Sequence, residues 1–178
     1  MKVEIKHSKR RKRTISAKLD GDTMYIYAPQ GMREKELHKV IENFKKRFDR
    51  RNLKKKLNKE KKIKDVFNRL NKRYFDGQIK ITSIEYVTDQ ERKFGCCNYR
   101  KKTIRISHYL AEMPGWVRDY VIVHEMAHIL QPNHSKSFWD IVYHYKLTER
   151  ARGFLIATGL SAATPKLESG EESDINVR

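Results

Sequence analysis

The sequence predicts an α+β fold: helices packed on a small sheet that contains an antiparallel pair, preceded by an N-terminal β-hairpin lobe. Three observations carry this. Short alternating runs separated by turn residues occupy 2–28 and again 79–108. Stretches with apolar residues at helical spacing lie between and after them. The 178 residues suit one domain with a small appended lobe, long enough to bury a real core.

In chain order, Lys2 to Lys6, Thr14 to Leu19 and Met24 to Ala28 read as strands, and Asp20-Gly21-Asp22 as the turn joining the second and third. Pro29-Gln30-Gly31 ends the lobe. From Arg33 to Phe48, Leu37, Val40, Ile41, Phe44 and Phe48 recur at helical spacing, and Leu53 and Leu57 can continue the stripe through basic residues. Ile63, Val66, Phe67, Leu70 and Tyr74 mark a further helix, closed by Asp76-Gly77, with a hinge expected near Asn58. Whether these are one helix or two stays open at this level. Ile79 to Val87 reads as a strand, and Phe94 to Tyr99 with Thr103 to His108 as an antiparallel pair about Arg100-Lys101-Lys102. The apolar Val121-Ile122-Val123 and Ile129-Leu130 belong to a buried helix that breaks at Gln131-Pro132-Asn133. Ser135 to Tyr145, with Ser135 as N-cap, and Thr148 to Thr158 complete the helices. The expected bounds are a β lobe over 1–31, a domain with long basic helices over 32–160, and a disordered acidic tail over 161–178 containing Glu168, Glu171, Glu172 and Asp174.

The buried helix carries His124-Glu125-Met126-Ala127-His128. Residues four apart lie one turn above each other, so both imidazoles can face one ion. Glu125, offset by about 100°, stands beside that ion, where a carboxylate can take a proton from an activated water and return it to a leaving amine. A catalytic zinc usually takes three protein ligands and keeps a fourth position open. His134, beyond the helix break, is the third candidate. One Zn2+ per chain is therefore expected, with Glu125 as general base and a protein or peptide as substrate. The spacing to His134 equals that of the metzincins, but Gln131 replaces their glycine and no later methionine supplies their turn. The bland alternative is a pair of buried, locally hydrogen-bonded histidines. Tyr143, His144 and Tyr145 follow the third ligand as candidate transition-state donors, and His108 is also within conceivable reach. His7, His38, His108 and His144 are most simply surface or packing residues.

The formal net charge is +18, concentrated at Lys6 to Arg13 and Lys45 to Lys64. Such a field attracts polyanions, with nucleic acid the obvious candidate partner and DNA or another polyanion the expected ligand. Arg10, Arg11, Arg13, Lys54, Lys55 and Lys56 are the candidate contacts, although Phe48 is the only Phe, Trp or Tyr within these runs. A solvated basic helix is the plainer reading. The rival function is thus a nucleic-acid-binding module with a structural or vestigial metal site, in which Cys96 or Cys97 would close the coordination shell. A hydrolase of non-peptide amides is a third. Adjacent cysteines make a poor disulfide and fit a reducing compartment. No run approaches the roughly 20 apolar residues of a membrane span, and the N-terminus opens on charge, so a cytoplasmic protein without membrane contact is expected.

Taken together, the residues resemble the YgjP-like metallopeptidases, relatives of the SprT-like and WLM zinc peptidases. The resemblance rests on the arginine-rich entry Arg11 to Ala28, on Phe94-Gly95-Cys96-Cys97, on Thr103-Ile104-Arg105-Ile106, and on Asp119 through His128 to Asn133-His134-Ser135-Lys136-Ser137-Phe138-Trp139. It spans roughly residues 3–145. It implies a minimal zincin-like core, with His124, His128 and His134 as metal ligands and Glu125 as base. SprT-like relatives act on proteins crosslinked to DNA, a role the basic surface suits. Cys96 stands where a small polar residue is expected, and Phe94 where tryptophan is; both can alter the substrate groove.

Overall fold

The computed structural model describes residues 2–60 and 62–158, so the expected acidic tail lies outside the described residues. The fold is α+β, with two small sheets and helices packed on them. Two compact units divide the chain, Met1–Asn52 and Leu53–Arg178.

In the first unit, β1 (Lys2–Ser8), β2 (Ser16–Asp20) and β3 (Thr23–Pro29) form a sheet of order β1-β3-β2. β2 and β3 make the expected antiparallel hairpin, and β1 joins β3 in parallel. Gly21 at the turn has φ +56, which a residue without Cβ adopts at no steric cost. Alternation along β3 buries Met24, Ile26 and Ala28 completely and sends Tyr25 and Tyr27 to the other face. A three-stranded sheet needs a cover for its apolar side. The first half of α1 (Glu34–Glu60) provides it through Leu37, Ile41, Phe44 and Phe48. The compact unit therefore runs on beyond Gly31.

The second unit contains α2 (Ile63–Phe75), β4 (Ser83–Val87), β5 (Gly95–Asn98), β6 (Thr103–Ser107), a 3-10 turn over His108–Ala111, then α3 (Gly115–Leu130), α4 (Lys136–Val142) and α5 (Thr148–Ala157). α1 and α2 are separate helices, with Lys62 in the left-handed region at φ 38. The break thus falls after Asn58. Asn58 is a pin: its Nδ2 donates to Tyr86 O at 2.9 Å while Tyr86 N donates to its Oδ1 at 2.9 Å. β4 begins at Ser83, later than expected, because Ile79 finds its backbone partners elsewhere. Asn71 Nδ2 donates to Ile79 O at 2.9 Å, and Ile79 N donates to Asn71 Oδ1 at 3.1 Å.

β5 and β6 pair antiparallel as expected, β4 joins β6 in parallel, and the order β4-β6-β5 leaves β5 on an edge. The core between sheet and helices includes Tyr86, Ile104, Ile106, Val117, Ile122, Met126 and Phe138, all fully buried. α4 stops at Val142 instead of Tyr145. Thr148 Oγ1 donates to the carbonyls of Val142 and Tyr145, at 3.0 and 2.7 Å, and so satisfies the frayed end. Among the described residues no helix is long and apolar enough to cross a membrane.

Candidate metal centre

α3 ends where the residue before Pro132 must leave the helical region: Gln131 is extended, at φ −130. Ser135 then starts α4 as the N-cap, its Oγ accepting from Phe138 N at 3.4 Å. The short connection turns His134 back on α3. Ligand atoms of His124, His128 and His134 all lie within 4.8 Å of one another. The Nε2 atoms of His134 and His124 are 3.2 Å apart. Two nitrogens held tetrahedrally at about 2.0–2.1 Å from one zinc stand about 3.3 Å apart, so the pair fits such an ion.

His128 Nδ1 faces Gln131 O at 3.2 Å, and donation to that carbonyl leaves Nε2 free for a metal. The Phe138 ring packs against all three imidazoles, with centroids at 4.9, 4.5 and 4.6 Å. Burial pushes His124 down to about 3, helped by His128 and His134, and it lowers the latter two as well. Neutral imidazole is the form that binds metal.

Glu125 is 6% exposed and lies against Gly95 of the edge strand β5. Burial pushes its carboxyl up to about 8, with Lys93 and the Cys97 backbone N–H acting the other way. A cavity of about 340 Å³ opens over the cluster. β5 lines it with Gly95, Cys96 and Cys97, α3 with Tyr120, His124, Glu125 and His128, and α5 with Arg152, Leu155 and Ile156. This is the size of a small ligand site.

Cys97 shares the cavity, but neither cysteine belongs to the three-histidine cluster; burial pushes the Cys97 thiol up to about 12. Of the proposed donors, Tyr145 points its hydroxyl at Trp116 O, 2.8 Å away, and is not among the cavity residues. His144 and His108 are not cavity residues either. Tyr143 is not a cavity residue either, but it touches one that is, through a shared partner. Its hydroxyl donates to Glu149 Oε1 at 2.6 Å, and Arg152 Nη1 donates to the same oxygen at 2.6 Å. The Arg152 guanidinium also stacks over Trp139 at 5.0 Å, and its buried Nε has no hydrogen-bond partner among the described residues. Arg152, a cation held by Glu149 and the Trp139 ring, therefore lines the cavity.

Arg152 and Tyr120 line the cavity without being among the site residues expected from the sequence. Tyr120 precedes His124 by four and so shares its helix face, a signal that was present. Nothing local marks Arg152, which arrives through packing of α5 on α3. Of the candidate nucleic-acid contacts, Arg10, Arg13, Lys55 and Lys56 are exposed, Arg11 lies over the Tyr27 ring at 5.6 Å, and Lys54 pairs with Glu85 at 2.9 Å.

The family model described as YgjP-like, metallopeptidase domain, matches residues 5–147. No curated protein matches the chain. Two solved structures resemble it. The metallopeptidase zymogen of Pyrococcus abyssi abylysin is 22% identical, with a TM-score of 0.47 over 55% of this chain and 94% of that one. That of Methanocaldococcus jannaschii jannalysin is 23% identical, with a TM-score of 0.46 over 54% of this chain and 95% of that one.

Proposed function

The chain belongs to the YgjP-like metallopeptidase family, and from that premise we propose that it hydrolyses peptide bonds with one zinc per chain. The observation that carries the reading is the convergence of His124, His128 and His134 beside a buried carboxylate, under an open cavity. These three residues would hold the ion. When bound, zinc supplies a Lewis acid and lowers the pKa of water toward about 7.

The remaining chemistry belongs to the chain's own side chains. Glu125 takes the proton from the attacking water and passes it to the leaving amine. Burial pushes its carboxyl up to about 8 in the metal-free site, and the charge of a bound zinc would draw it back toward the ionised form that a base needs. We assign the developing oxyanion to Arg152, which the Glu149 ion pair and the Trp139 ring hold at the cavity. Edge strand β5 is positioned to take an extended substrate by backbone hydrogen bonds. Phe94, Tyr99, Leu155 and Ile156 give the cavity apolar walls, which favours an apolar residue beside the scissile bond. A closed structural metal site is the weaker reading, because three histidines and no cysteine form the cluster.

The test is digestion of a denatured protein and a fluorogenic peptide mixture by zinc-loaded wild type, beside Glu125→Gln. Cleavage that chelation stops, zinc restores and the variant lacks supports the reading. Equal cleavage by both proteins removes Glu125 from the mechanism.

A further inference from the structure

We propose that the outer face of the N-terminal sheet is a stacking platform for single-stranded nucleic acid. The face is built by β3, whose Met24, Ile26 and Ala28 point inward and whose Tyr25 and Tyr27 point out, partly exposed. Two positions along a strand span about 6.6 Å, so the rings stand side by side in one row. Register brings cations to both. Lys18 of β2 lies beside Tyr25, and Lys6 of β1 beside Tyr27.

The side chains complete the arrangement. Lys6 Nζ sits 4.6 Å from the Tyr25 ring centre and 6.0 Å from that of Tyr27, while the Arg11 guanidinium lies 5.6 Å over Tyr27. Glu4 is the carboxylate beside Tyr25, and it pairs with Lys2 at 3.5 Å; Asp20 lies at the end of β2. Exposed Lys9, Arg10, Lys12 and Arg13 extend the positive field from the adjoining connection. Aromatics missing from the run Lys6 to Arg13 in sequence are thus brought among its cations by strand pairing.

This combination selects its ligand. Phosphates answer the lysines and arginines, as any polyanion would. Two aromatic positions in one row add a use for flat, unpaired bases, which a duplex hides inside its own stack and an acidic peptide does not possess. A cation over an exposed ring is held less firmly than a stacked base, so Lys6 and Arg11 can move from ring to phosphate as a base arrives. This surface belongs to the first unit and goes beyond the peptidase reading.

The experiment is fluorescence anisotropy of the full chain with labelled oligodeoxythymidine, oligouridine and a duplex across a salt series, with heparin as competitor. Single strands should bind more tightly than duplex at equal salt. Tyr25→Leu and Tyr27→Leu keep apolar bulk but lose the flat ring; each should weaken binding about 5- to 100-fold with the salt slope unchanged. Tyr25→Phe and Tyr27→Phe should retain affinity. Lys6→Gln with Arg11→Gln should lower the slope by about 1.5. Absent binding, duplex or heparin bound as well as single strands, or full affinity in folded Leu variants would overturn the proposal. An acidic peptide that competes equally in wild type and Leu variants would overturn it in favour of a charge-only surface.

Discussion

Gly95 on β5 and Glu125 on α3 are in such close approach that a Cβ at position 95 would stand 2.5 Å from Glu125 Oε1 and 2.7 Å from its Cγ. The proposed base is thus held in place by the absence of a side chain across from it. Gly95→Ala must displace the carboxylate. The expected result is a fall in kcat of about 10²-fold or more with zinc content unchanged, since misplaced catalytic groups lose this much. Wild-type turnover by Gly95→Ala would show that the contact does not position the base.

Glu125 also makes a stability prediction for the metal-free protein. Its folded pKa is pushed up to about 8 by burial, above its ordinary range. The folded state then holds a proton that the unfolded chain releases above about pH 4.5. Its contribution is full below that pH and is lost as pH rises through 8. Metal-free Glu125→Gln should accordingly match wild type near pH 4 and exceed it above pH 8, by on the order of a few kcal/mol. The depressed His124 is common to both proteins and cancels in the difference. Zinc should shrink the gap, because its charge favours the carboxylate. Urea titrations at both pH values, with and without metal, measure it; a gap largest at pH 4 would reverse the assignment.

Arg152→Ala should lower kcat by about 10²- to 10³-fold, the usual cost of one oxyanion donor, with KM little changed. Glu149→Gln, which releases the guanidinium from its ion pair, should cost less. Steady-state kinetics on an apolar peptide separates the two. A rise in KM alone would make Arg152 a substrate-binding residue.

Asn58→Leu should destabilise the second unit by about 2 kcal/mol, because it strands the N–H and C=O of fully buried Tyr86 on the outer edge of β4. Chemical denaturation monitors this. A flexible hinge at Asn58 would leave the midpoint unchanged.

The metal cluster was legible because helical periodicity and a proline break are local rules: His124, His128 and His134 needed only the turn before Pro132 to meet. Helices and strands followed from apolar spacing in the same way. What failed depended on partners distant in sequence. β4 shortened because Asn71 satisfies Ile79, and Asn58 reads as loop-forming until Tyr86 is seen to bind it. Arg152 enters the site only through packing of α5 on α3. The row of Tyr25 and Tyr27 beside Lys6 required the register of two strands to become visible.

The most direct test of the metal centre is zinc content and zinc absorption spectroscopy of the purified protein, wild type beside His134→Ala. About one zinc per chain, held by nitrogen and oxygen with an open or water-filled position and weakened in the variant, is the predicted result. A protein that takes up no zinc, or one that closes the site with sulfur from Cys96 or Cys97, would contradict it.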